Sequence, residues 1–123
     1  MRTIKFRAQD IASNKWLYGD LRHHKNDVCI FEQGGTKGEQ VKRDTIGQFV
    51  GLKDKNGKEI YEGDIIRFVD GLKMINGEWV DNECINTVEY SGGAFCGVSG
   101  LSKDLDAVEV IGNIYDNPDL LKR

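Results

Sequence analysis

Apolar residues in this chain recur mostly at every second position or in short runs, which is the spacing of strands rather than helices. The opening Thr3-Ile4-Lys5-Phe6-Arg7-Ala8 alternates strictly. Ile4, Phe6 and Ala8 fall on one face and the basic residues on the other, so residues 3–8 predict a half-buried strand. Asp10 to Lys15, with Ser13-Asn14, predicts a turn, and Trp16-Leu17-Tyr18 starts the strand that completes a hairpin. Val28-Cys29-Ile30-Phe31 is a compact apolar run of strand type. The stretch from Gln33 to Gly38 predicts a loop, because glycines crowded together weaken either regular structure.

The middle of the chain is the most explicit. Ile46 to Leu52 is strand-like, and Lys53-Asp54-Lys55-Asn56-Gly57-Lys58 follows it, leading into Glu59-Ile60-Tyr61. Asp54 at the first turn position, Asn56 at the third and Gly57 at the fourth suit a type I turn closed by a glycine bulge. A two-residue type I′ turn centred on Asn56-Gly57 is the alternative, and both place Gly57 at positive φ. Glu62-Gly63-Asp64 reads as a second turn, feeding the apolar Ile65-Ile66-Arg67-Phe68-Val69. Gly77 to Val80 and Thr87 to Tyr90 predict further strands. Gly92-Gly93 turns the chain into Ala94 to Val98, and Asp106 to Tyr115 is the last strand. Asn117-Pro118-Asp119 at the end predicts one short helical turn, with proline at the first helical position. The fold class that follows is mainly β: one domain over residues 1–123, at least six short antiparallel strands, a partly open small-barrel arrangement, and no helix beyond about three turns.

Composition agrees. The 123 residues are 39% hydrophobic and 30% charged, which is globular, and fifteen glycines against one proline imply many tight turns. No apolar run approaches the length of a membrane-spanning helix, and the first residues lack the apolar core of a secretory signal. That makes Cys29, Cys84 and Cys96 expected free thiols in a cytoplasmic protein. Charge is uneven. Residues 1–60 hold 12 basic and 8 acidic groups, a net +4, while residues 61–123 hold 5 and 12, a net −7. If the halves present different faces, charge favours self-association; if they interleave, the asymmetry cancels.

Candidate chemistry is sparse. His23-His24 with Cys29 lacks the ligand spacing of a zinc site, and adjacent residues of a strand point to opposite faces, so exposed loop histidines are expected and no metal. Asp54, Glu59, Glu62 and Asp64 are acidic and close in sequence, but Asp54 and Asp64 already have turn-forming roles. We therefore read Asp54, Asn56, Gly57, Gly63 and Asp64 as structural turn residues. No cysteine has a histidine in a nucleophile setting, and no cofactor motif is present. Arg7, Trp16, Tyr18, Arg22, Lys42 and Arg43, with Arg2 and Lys5 beside them, are the candidate interaction residues: basic groups alternating out of a sheet near aromatics can line a nucleic-acid backbone. A sequence pI near 5.4 argues against that use.

Three blocks together resemble the YopX-like proteins of bacteriophages and prophages. They are Ile4 to Ala8, Gly51 to Ile65 with its Lys-Asp-Lys-Asn-Gly-Lys-Glu-Ile-Tyr-Glu-Gly-Asp core, and Val110 to Leu121. The chain departs from the family in having Gln9 where tryptophan is usual, and residues 22–45 have no clear counterpart. The resemblance implies a β-rich fold of coiled sheets, a phage or prophage origin and a homo-oligomer, and it carries no catalytic residues. The expectation is a non-enzymatic, oligomeric accessory protein working through contacts with phage or host proteins, away from membranes. A nucleic-acid-binding regulator is the competing reading, and an enzyme of unrecognised type the third.

Overall fold

The computed structural model describes residues 4–32, 38–91, 94–96 and 108–121. These are mainly strand with antiparallel pairing, and their helical segments are two short 3-10 turns, Arg43–Thr45 and Pro118–Leu121. The chain divides into two compact units, Met1–Gly51 and Leu52–Arg123.

The first unit contains β1 (Phe6–Gln9), β2 (Trp16–His24), β3 (Asp27–Phe31), β4 (Gly38–Gln40) and most of β5 (Gly47–Lys53), in the order β4-β3-β2-β1-β5. The β1–β2 turn forms where polar residues predict it. The Asp10 carboxylate accepts the Ala12 and Ser13 amides at 2.8 and 3.3 Å, and the Asp10 amide donates to the Lys15 carbonyl. One sheet face buries Ala8, Val28, Ile30 and Val41, with Phe6, Leu17, Leu21 and Ile46 packed against them. Burying each of the larger aliphatic side chains contributes about 1.5–3 kcal/mol. The first strand starts later than the alternation suggests: Ile4 precedes it and is exposed. Gly38 begins β4 instead of closing a loop; Gln33 to Lys37 lie outside the described residues. At Gly19 a Cβ would stand 2.0 Å from the Phe31 carbonyl oxygen, so β3 can lie alongside only a glycine there.

The second unit contains β6 (Glu59–Tyr61), β7 (Asp64–Ile75), β8 (Glu78–Thr87), β9 (Glu89–Ser91), β10 (Ala94–Cys96) and β11 (Glu109–Asn113). β6 folds back beside the end of β5, β7 is flanked by β11 and β8, and β9 pairs with β10. Ile60, Tyr61, Ile65, Ile66, Val88 and Val108 are buried almost completely.

Two features depart from expectation. β7 and β8 are long, at twelve and ten residues. Glycine does not end β7, because Asp70-Gly71 is absorbed in a bulge between Val69 and Leu72 and the ladder resumes beyond it. The last strand is shorter than predicted. It stops at Asn113, whose side-chain oxygen accepts the Tyr115 and Asp116 amides at 3.0 and 2.9 Å and turns the chain. The predicted extension over residues 106–107, the Gly92-Gly93 turn, and Gly97-Val98 fall outside the described residues. The C-terminal helical turn begins at Pro118 as expected. No helix among the described residues is long and apolar enough to cross a membrane.

Candidate interaction surface

β2 has its core side, carrying Leu17 and Leu21, and an opposite side carrying Trp16, Tyr18, Asp20 and Arg22. Across the ladder Arg7 stands opposite Tyr18, Gln9 opposite Trp16, and Cys29 opposite Arg22. Cations and rings meet on this side. The Arg7 guanidinium lies 4.8 Å from the Trp16 ring centre, and that of Arg22 lies 4.3 Å from the ring of Phe31. Such stacking is worth about 0.5–2 kcal/mol depending on desolvation. Arg7 is only 4% exposed, so its charge is held against the ring rather than presented outward. Tyr18 and Arg22 are exposed, with Asp20 3.9 Å from the Arg22 guanidinium.

Arg7, Trp16 and Tyr18 are thus neighbours, and Arg22 lies four residues beyond Tyr18, about 13 Å along an extended strand. Lys42 and Arg43 are elsewhere in the unit. The Lys42 ammonium donates to the Asn14 side chain and the Arg43 guanidinium to the Asn26 carbonyl, so both tie down turns. His23 is exposed, but it lies within β2 and not in a loop. Among the described residues no three His, Cys, Asp or Glu side chains are grouped to hold a metal, and Cys29 and Cys84 are free thiols.

In the second unit the turn residues are firmly placed. Asp54 Oδ1 accepts the amides of Asn56 and Lys58, and Oδ2 accepts that of Val110, each at 2.9 Å. Burial pushes the Asp54 carboxyl up, but those amides and the Lys58 charge outweigh it and hold it below the usual aspartate value. Asp64 is 1% exposed and accepts the Tyr61 amide at 2.8 Å. Gly63, between them, takes φ +88° at the third position of its turn, as a type II turn requires. Its amide donates to the Val88 carbonyl and its carbonyl accepts from Ile114. Chemistry here is directed inward, at the backbone.

A different surface was not anticipated from the sequence. Beyond the bulge, all nine residues from Gly71 to Trp79 are exposed. Leu72 is 62% exposed, Met74 52%, Ile75 46% and Trp79 65%. This end of the β7–β8 hairpin is a two-stranded ribbon with large apolar groups in water. The available signal was Asn76-Gly77 flanked by alternating apolar residues, a strong hairpin marker.

The chain matches the model of the YopX protein family over residues 5–122. The chain belongs to the YopX family. It is also similar to a solved structure, that of protein EF1440 from Enterococcus faecalis, with 29% identity and a TM-score of 0.57, covering 99% of this chain and 100% of that one. A comparison with curated proteins finds no match. Within the matched span, the blocks around Asp54 and Asp64 lie where the second unit is knitted together.

Proposed function

We propose that this protein is a non-enzymatic interaction module, a homo-oligomeric phage or prophage accessory factor that works in the bacterial cytoplasm through protein contacts. The observation that carries this reading is the β7–β8 ribbon. Four large apolar side chains sit in water on nine consecutive exposed residues, whereas isolated apolar residues are the norm on a monomer's surface. A two-stranded ribbon is marginal by itself, so apolar groups retained along it point to a bound state in which they are covered. The acidic balance of residues 61–123 suits a protein partner better than a phosphate backbone.

The test compares the tagged native protein with a variant carrying Leu72→Ser, Met74→Ser and Trp79→Ser, each used to capture proteins from cells that naturally contain it. Partners retained by the native chain are expected to be lost from the variant while its circular dichroism is unchanged. An identical partner set on both would sink the reading. Tight binding of single-stranded DNA with steep salt dependence would replace it by nucleic-acid recognition.

A further inference from the structure

The register of the β7–β8 hairpin sorts its side chains between two faces. Arg67 lies opposite Ile85, Val69 opposite Glu83, Leu72 opposite Asp81 and Met74 opposite Trp79. Residues directly opposite share a face, and so do alternate residues along β8, so all eight project from the same side. Towards the tip this side is a stripe of Val69, Leu72, Met74 and Trp79. At its base Glu83 and Ile85 join Leu120 and Leu121 of the C-terminal 3-10 turn around a hollow of about 280 Å³. That is below the roughly 300–1,000 Å³ of small-molecule pockets, and suits one large side chain.

We propose that this face is a two-fold contact between two copies of the chain, in which Trp79 of each copy enters the hollow of the other between Ile85, Leu120 and Leu121. The inference rests on the interaction-module reading and names the partner of one face of the ribbon. The geometry selects a second copy. Knob and hole lie on one side of the same strand, six residues apart, about 20 Å at strand spacing. A two-fold axis midway between them, with the ribbons antiparallel, fills both holes at once, which is the self-complementarity that an isologous contact demands. The chemistry also matches. The indole N–H can only donate, and the polar group in the hollow is the Glu83 carboxylate, which accepts.

The contact is small, a few hundred Å² per copy, so it belongs with weak and concentration-dependent associations. Its charge has a definite sign. Asp81 and Glu83 lie on the joined face of both copies, while Arg67 is paired with Glu109 in its own chain. Like charges meet, so added salt leaves the dimer unchanged or strengthens it. A contact between the basic first half and acidic second half of two copies would weaken instead.

Sedimentation equilibrium of the full chain, from micromolar to several hundred micromolar, tests this directly. The native protein is expected to pass from monomer to dimer, and Trp79→Ala and Leu121→Asp each to raise the dissociation constant at least about tenfold. Both residues are exposed within one copy, so circular dichroism and urea unfolding of the variants should match the native chain. Ile11→Ala, exposed in the first unit, should associate as the native chain does. Reciprocity adds a sharper arm. A mixture of Trp79→Ala and Leu121→Asp should associate more tightly than either alone, because the mixed dimer keeps one intact knob and hole. A native monomer at every concentration, a dimer indifferent to both substitutions, a mixture no better than its parts, or a dimer weakened by salt would each overturn the proposal. The capture experiment still decides the interaction reading by itself.

Discussion

Asn56-Gly57 and Asn76-Gly77 are the same dipeptide at the tips of two antiparallel hairpins in the second unit, yet the backbone passes through them differently. Asn76 and Gly77 stand at φ +52° and +83°, and Ile75 pairs directly with Glu78, so the tip is a two-residue type I′ turn. Gly57 is at φ +81° while Asn56 keeps an ordinary negative value. The Gly57 amide donates to the Asp54 carbonyl at 3.0 Å, and the Asp54 amide donates to that of Lys58 at 2.8 Å. That is the type I turn with a glycine bulge, and it settles the alternatives left by the sequence. The difference lies two residues upstream. Asp54 can draw the Asn56 and Lys58 amides onto one carboxylate oxygen, which curls the chain into the longer loop. Met74, in the equivalent place before Asn76, has no such acceptor, and strand twist alone selects the primed turn. Surroundings differ as well. The Asp54 turn is stitched to the last strand through Val110 and through the Lys55 amide, which donates to Val108. The Asn76 turn reaches into water with its apolar flanks uncovered. One tip is a staple and the other is a probe.

The largest effect expected from breaking this contrast is at the staple. Asp54→Ala strands three amides, one of them on a strand 56 residues away, and should destabilise the chain by about 3 kcal/mol in urea unfolding at pH 7 and fixed protein concentration. The carboxyl is held below its ordinary value in the folded state, so its contribution is full above the unfolded pKa. It fades as pH falls from about 4 through the lower folded value. The gap between native and variant should therefore narrow in acid, and a gap of constant size down to pH 2 would contradict the assignment.

Gly57→Ala is next, at about 1 kcal/mol. No neighbour lies within 4 Å of a Cβ there, so the cost is backbone strain and not a clash. A native-like urea midpoint would remove the turn assignment. Asn76→Ala should cost about 0.5–1 kcal/mol, since alanine tolerates positive φ less well than asparagine. Its readout is local: faster amide exchange along the tip of β8, with the Ile60 and Ile65 amides unchanged. Asn56→Ala closes the series at a few tenths of a kcal/mol, because no left-handed residue is involved. If Asn56→Ala proved costlier than Asn76→Ala, the two turn types would have to be exchanged.

The fold was legible where each cause lies within a few residues. Period-two alternation located β1, and strand-like apolar stretches located β2 and β5. Asp54, Asn56 and Gly57 announced their turn, and Gly63 and Asp64 theirs, because the bonds span only two to four positions. The interaction surface was less legible. Alternation put Arg7 on the polar side of β1, which is right for direction, but its burial depends on the Trp16 ring from the neighbouring strand. Lys42 and Arg43 looked like outward charges and instead hold turns through Asn14 and Asn26, partners 28 and 17 residues away. From the sequence Trp79 reads as an ordinary strand residue, because nothing local distinguishes a covered tryptophan from an uncovered one.

By itself, then, the sequence determined the strand period, the turn chemistry and, among the described residues, the absence of long helices, since backbone dihedrals and side-chain-to-backbone bonds at short separation carry that information. Only the tertiary structure decided which faces are covered. The Gln9 amide finds the Thr45 hydroxyl 36 residues on, Val110 finds Asp54 across 56, and β7 gains β11 on one side as well as β8 on the other. Among the described residues the β11 ladder runs from Asp64 to Arg67, and beyond Val69 only the register with β8 continues. Burial depends on what lies on the other side of a strand, and no pattern along the strand encodes it. That is why Ile65 and Ile66 are core while Met74 and Ile75, nine residues later on the same strand, stand in solvent.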